Sequence, residues 1–263
     1  MKIIVVFGTR PEAIKMAPVV KALRDRPRVS LSTCVTGQHR SMLDQVLEIF
    51  NIDPDYDLNI MKPDQNLTQI TTEVLRELGE GFVRERPDLV LVHGDTTTAM
   101  ASAMAAFYQR IPIGHVEAGL RTNNIDHPWP EEMNRRVIDV MARHLFAPTE
   151  RARRALIGEG QDEARICVTG NTVVDALHEI AARLDQDADL RASLDRRFSF
   201  LNGEKRLILV TGHRRESFGK PLENICLALG RIARRNDAQI LYPVHLNGNV
   251  KGPVHRLLGG LEN

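Results

Sequence analysis

What this chain of 263 residues lacks narrows what it can be. Its 35 lysines and arginines stand against 34 aspartates and glutamates, a formal net charge of +1. There is no global field to draw nucleic acid or an acidic membrane, so a small anionic ligand would have to meet local positive charge. Three cysteines, Cys34, Cys167 and Cys226, are odd in number, far apart and set in apolar surroundings. That excludes a disulfide framework and suits buried thiols in a reducing compartment better than a catalytic thiol. Apolar runs are short. "MKIIVVFGTRP" has only five apolar residues after its lysine and before Gly8, too few for a signal-peptide core or a membrane span. A cytoplasmic protein with no membrane partner is expected. No G-x-G-x-x-G, Walker loop, G-x-S-x-G elbow or zinc-type spacing of Cys and His is present. Neither a cofactor nor a metal is expected. Internal repeats and low-complexity tracts are also missing.

What is present is an alternation. Short β-rich apolar runs at 3–7, 29–36, 88–93, 111–117, 144–149 and 165–170 are separated by helical patterns, such as Leu67, Ile70, Val74, Leu75, Leu78 and Phe82. Strands alternating with crossover helices predict an α/β protein with a parallel, doubly wound sheet, whose ligands bind beyond the carboxyl ends of the strands. From about 171 the composition shifts to a charged helical stretch. A further strand at 206–212, a helix after Pro221 and a strand at "AQILYPV" suggest a second, smaller lobe, with boundaries 1–170 and 171–263. About two strands in 93 residues make this second lobe look incomplete.

Two strands end alike. "LVLVHGDTTT" places Asp95 two residues after His93, and "GHVEAGLRT" places Glu117 two residues after His115. Asp95 precedes a helical pattern and could be a helix cap as readily as a functional acid. Glu117 is followed by Ala118 and Gly119 rather than a helix, which favours function. In "DHPWPEEMNRR", Glu132 reads as a dipole partner in a first helical turn, while the rigid Pro-Trp-Pro could set Glu131 against a cleft. "FGTRPEAIKMAP" combines Gly8, Pro11, Arg10 and Lys15 at a strand-to-helix turn, where free amides and two cations would make an anion site, or the cations are ordinary solvated ones. "TGHRRESFGKP" repeats this with Gly212, His213, Arg214 and Arg215, either a solvated charge run or a diphosphate clamp. "TGQHRSML" offers Gln38, His39 and Arg40 to the same rim. His245 in "YPVHLN" reads as a core or capping histidine.

Together "FGTRPEAIKMAP", "TGQHRSMLDQVL", "DYDLNIMKP", "VLVHGDTTT", "GHVEAGLRT", "PWPEEMNRR", "TGNTVVDAL", "TGHRRESFG" and "YPVHLN" resemble the bacterial non-hydrolysing UDP-N-acetylglucosamine 2-epimerases, in order, from residue 1 to about 250. The resemblance implies a GT-B fold of two Rossmann-like lobes with the active site in their cleft and UDP-N-acetylglucosamine as substrate. It implies formation of UDP-N-acetylmannosamine for surface polysaccharides, by loss and return of UDP through 2-acetamidoglucal. It implies a homodimer formed through first-lobe helices. The family's catalytic residues carry over to Asp95, Glu117, Glu131 and His213, and its substrate-binding cations to Arg10 and Lys15. Arg214 and Arg215 stand as diphosphate neighbours. Some members bind a second substrate molecule as activator near the "QHR" helix, where Ser41 replaces a longer polar residue.

One departure is large. The later part of the family's second lobe, with its phosphate loop and ribose-binding glutamate, has no counterpart here, so a C-terminally truncated epimerase with weakened UDP affinity is expected. The competing readings are a hydrolysing 2-epimerase that releases N-acetylmannosamine, a non-catalytic nucleotide-sugar-binding fragment and a GT-B glycosyltransferase. The paired acids suit proton transfer better than sugar transfer.

Overall fold

The computed structural model describes residues 1–37, 40–60, 62, 65–212, 217–245 and 247–261, and the side chains of 40 and 41 lie outside that set. The chain divides into two compact units, Met1–Arg183 and Leu184–Asn263. The first holds the parallel strands β1 (Lys2–Phe7), β2 (Ser30–Val35), β3 (Tyr56–Asp57), β4 (Leu89–His93), β5 (Ile113–Val116), β6 (His144–Ala147) and β7 (Ile166–Val168), in the spatial order β3-β2-β1-β4-β5-β6-β7. Its helices are α1 (Arg10–Arg24), α2 (Arg40–Ile49), α3 (Leu67–Glu85), α4 (Thr97–Tyr108), α5 (Glu131–Met141), α6 (Glu150–Gly158) and most of α7 (Thr172–Gln186).

Alternation of side chains along β1 explains the double winding. Ile3, Val5 and Phe7 pack with Ala13, Met16 and Val20 of α1 and with Leu43 and Val46 of α2. Ile4 and Val6 point to the other face, with Ile70, Val74, Leu78 and Phe82 of α3 and the alanines of α4. Strand order reverses between β1 and β4, so the turns that follow them diverge there and leave a crevice at their carboxyl ends. Gly8 closes that point. A Cβ on it would lie 2.2 Å from Thr36 Oγ1, too close for any side chain.

α7 stays with the first unit because Lys21 bonds Glu179 at 2.9 Å and Arg183 donates to the Ile49 carbonyl at 2.6 Å. The second unit contains α8 (Ala188–Arg197), β8 (Arg206–Leu209), α9 (Lys220–Ala233), β9 (Ala238–Leu241) and α10 (Gly248–Leu258). Its two parallel strands pair in register from Arg206 with Ala238 to Leu209 with Leu241. Leu222, Cys226, Val250 and Val254 form its small core. Cys34 and Cys226 are buried as expected, but Cys167 is exposed, because β7 is the last strand of its sheet. None of the described helices is long and apolar enough to cross a membrane, and the described residues contain no cluster of ligands for a metal ion.

Candidate functional site

Glu117 follows β5 directly and takes a left-handed backbone conformation, φ +72°, which costs a side chain with a Cβ about 1–2 kcal/mol. Its backbone N–H donates to the Phe146 carbonyl at 3.1 Å, as does that of Ala118. The turn aims the carboxylate back over the strand ends. Oε1 accepts from Lys15 Nζ at 2.6 Å and from Asn171 Nδ2 at 2.7 Å, and Oε2 lies 3.6 Å from His93 Nε2. Burial alone would raise the pKa of Glu117, but the charges and donors around it outweigh burial and hold it below the usual carboxylate range. His93 itself is pushed down to about 3 by burial, so it is neutral near pH 7 and Lys15 supplies the cation. Neither ring nitrogen of His93 has a hydrogen-bond partner among the described residues.

Asp95 reaches the same edge differently. Gly94 takes the left-handed turn (φ +66°), and Thr96, not Asp95, caps α4 by accepting from the Ala99 N–H at 3.0 Å. The capping alternative for Asp95 therefore falls away. Its carboxylate is bonded by the Arg135 guanidinium, and its backbone carbonyl accepts from Asn134 Nδ2 at 2.9 Å. Both partners lie on α5, one turn after Glu131, and so share its helix face. Glu131 Oε2 is buried with no hydrogen-bond partner among the described residues. Glu132 is fully buried and structural: it accepts from the backbone N–H groups of Thr122 at 3.0 Å and Asn123 at 3.2 Å, and from Arg136 Nε at 3.1 Å. Trp129 is exposed.

Lys15, Asp95, Glu117 and Glu131 are thus contributed by α1, the β4–α4 turn, the end of β5 and the start of α5. Arg10 is exposed at the first position of α1. Gln38, His39, His213, Arg214 and Arg215 lie outside the described residues, as does the Arg40 side chain at the start of α2. His245 is exposed rather than part of a core and accepts the Asn247 N–H at 3.1 Å, while the cap of α10 is Asn247, which accepts from the Asn249 N–H at 2.9 Å. Sequence reasoning passed over Asn171 as a contact. One amide group serves twice there: its oxygen accepts from the Val173 N–H at 3.1 Å while its nitrogen donates to Glu117. The sequence signal was an Asn just before a helical run, which reads as a cap and hides the second use. The buried network of Arg121, Asp139 and His115 was also missed. Arg121 donates to Asp139 at 2.8 Å, and His115 Nδ1 lies 2.6 Å from the other Asp139 oxygen.

Asp95 and Glu117 follow the carboxyl ends of neighbouring strands in a doubly wound α/β sheet, the side on which this fold class binds its ligands. The chain belongs to the UDP-N-acetylglucosamine 2-epimerase family, whose model matches residues 21–263. It is 57% identical to the UDP-N-acetylglucosamine 2-epimerase of Salmonella typhimurium and 54% identical to that of Escherichia coli K12, in each case over 100% of this chain and 70% of the relative. Among solved structures it is similar to the Neisseria meningitidis UDP-GlcNAc 2-epimerase bound to UDP-GlcNAc. The TM-score is 0.95 at 46% identity, over 100% of this chain and 71% of the other. The Methanocaldococcus jannaschii enzyme in complex with UDP-GlcNAc and UDP aligns with a TM-score of 0.79 at 32% identity, over 98% and 69%. The fold is of the GT-B type found in these epimerases.

Proposed function

We propose that this chain carries the catalytic acids of a non-hydrolysing UDP-N-acetylglucosamine 2-epimerase. The observation that supports this most is the convergence of Glu117, Asp95 and Glu131 at one sheet edge, with Glu117 held ionised by Lys15. The C2 proton of the sugar has no neighbouring carbonyl to stabilise a carbanion, so a base must act while another bond takes the electrons. On this reading a carboxylate removes the C2 proton, the C1–O bond breaks, and UDP leaves with that electron pair, forming the C1=C2 bond of 2-acetamidoglucal. UDP oxygen then re-forms the bond to C1 while a second acid delivers a proton to the opposite face of C2. Asp95, Glu117, Glu131 and His213 are assigned to these proton transfers. Lys15, which also holds Glu117 in place, is assigned with Arg10, Gln38, His39 and Arg40 to binding the substrate, and Arg214 and Arg215 to its diphosphate. The same resemblance supports a cytoplasmic homodimer that supplies UDP-N-acetylmannosamine for surface polysaccharide.

Proton NMR of the chain with UDP-N-acetylglucosamine in heavy water tests this. UDP-N-acetylmannosamine carrying deuterium at C2 is the expected product. Free N-acetylmannosamine with UDP would establish the hydrolysing reaction instead. An unchanged spectrum under conditions where a full-length relative turns over would remove catalysis from this chain and leave a nucleotide-sugar-binding fragment.

A further inference from the structure

In a doubly wound sheet the first strand-to-helix turn presents free backbone amides and the positive end of a helix dipole, the usual landing place for a phosphate. Here that place is filled from within. The N–H groups of Gly8 and Thr9 donate to Glu12 Oε2 at 3.0 and 2.8 Å, and the other oxygen, Oε1, accepts from Thr96 Oγ1 at 2.7 Å. Glu12 is 2% exposed. Burial raises its pKa, and the donors around it oppose that shift without reversing it. Its place is set from both sides of the switch point, by the turn after β1 and by the residue that caps α4 beside Asp95. Lys15 is turned to Glu117. Lys15 thus reaches the strand ends with its side chain, while the amides of Gly8 and Thr9 are already taken.

We infer that Glu12 is a specificity-determining residue: its carboxyl group occupies the phosphate cradle at the start of α1 and keeps phosphate out of it. On the nucleotide-sugar reading, on which this consequence rests, the diphosphate is held by groups other than the Gly8 and Thr9 amides. The test follows the amide resonances of Gly8 and Thr9 in the wild-type chain, Glu12→Gln and Glu12→Ala as inorganic phosphate is added, with chloride at matched ionic strength as control. The glutamine oxygen can still accept both N–H groups, so wild type and Glu12→Gln are expected to stay silent, while Glu12→Ala shows a saturable shift at both amides. If Glu12→Ala does not fold, phosphate is expected to restore its melting transition where chloride does not. A saturable phosphate shift at Gly8 and Thr9 in the wild-type chain overturns the inference. So does a folded Glu12→Ala that stays silent, or an unfolded one that phosphate does not rescue. Turnover of UDP-N-acetylglucosamine plays no part in this readout, so loss of the epimerase reading would leave the role of Glu12 standing, and the converse holds too.

Discussion

β4 and β5 lie side by side and end in the same pattern, a histidine, one residue and an acid, yet the fold uses the two copies in opposite ways. At the end of β5 the histidine is anchored. His115 Nε2 lies 2.7 Å from the Gly94 carbonyl and Nδ1 lies 2.6 Å from Asp139, so each ring nitrogen has a partner. Burial would raise the pKa of Asp139, but its contacts with His115 and Arg121 outweigh burial and hold it below the usual range. At the end of β4 the histidine is also buried but has no hydrogen-bond partner among the described residues, and it faces Glu117 across 3.6 Å. The acids differ as well. Asp95 is carried round by a glycine that turns left-handed at no steric cost, whereas Glu117 takes the left-handed turn on its own residue. One copy of the pattern stabilises the strand ends, and the other supplies a buried, neutral ring beside a charged acid.

The sharpest way to break this comparison is the same substitution at both histidines. His115→Phe leaves Asp139 short of a buried donor and is expected to lower the unfolding free energy by about 3–5 kcal/mol. His93→Phe removes no hydrogen bond among the described residues and adds a modest volume to a packed site, so a smaller loss of about 1–3 kcal/mol is expected. Urea denaturation of the two variants decides, and equal losses would dissolve the distinction. Next in size, Glu117→Gln is expected to reduce kcat on UDP-N-acetylglucosamine by about a hundredfold or more while the melting temperature stays close to wild type. A fall in stability with unaltered kcat would make Glu117 structural.

The neutral state of His93 has a pH signature. Its pKa falls from 6.5 to about 3 on folding, so between those values the unfolded chain binds a proton that the native chain refuses. Stability is therefore lost as pH drops below about 6.5, with a slope of at most about 1.4 kcal/mol per pH unit from this group. His93→Phe is expected to flatten that slope when unfolding free energy is measured from pH 7 to pH 4, and an unchanged slope would place the proton elsewhere. The smallest effect sharpens the contrast between Asp95 and its neighbour. Thr96→Ala is expected to cost about 1 kcal/mol through the lost cap. Asp95→Asn is expected to cost less in stability but to lower kcat, as read by thermal melts beside turnover assays.

The apolar runs were enough to locate β1, β2, β4, β5, β6 and β7, because buried parallel strands need continuous apolar side chains and helices need a different period. Ile70, Val74, Leu78 and Phe82 are buried on α3 as that period requires. β3 escaped notice, since two residues carry no period. Asp95 was ambiguous for a physical reason: an aspartate and a threonine, both good caps, stand together before α4, and only the backbone geometry shows that Thr96 takes the cap. The anion site proposed for the β1–α1 turn was legible in its glycine and cations but not in its occupancy. Glu12 at the third helical position looks like half of an ordinary capping box, and nothing local announces its third bond to Thr96.

By itself the sequence determined the alternation of strand and helix, the acids at the strand ends and the family to which the chain belongs. These follow from local patterns, from residues a few positions apart that share one face or one turn. Which turns become neighbours was decided only by tertiary structure. β1 pairs with β4 across the switch point, so Glu12 meets Thr96 and Lys15 meets Glu117, residues 84 and 102 positions apart. Parallel pairing joins strands through intervening helices, and no local preference for helix or strand specifies which strands pair.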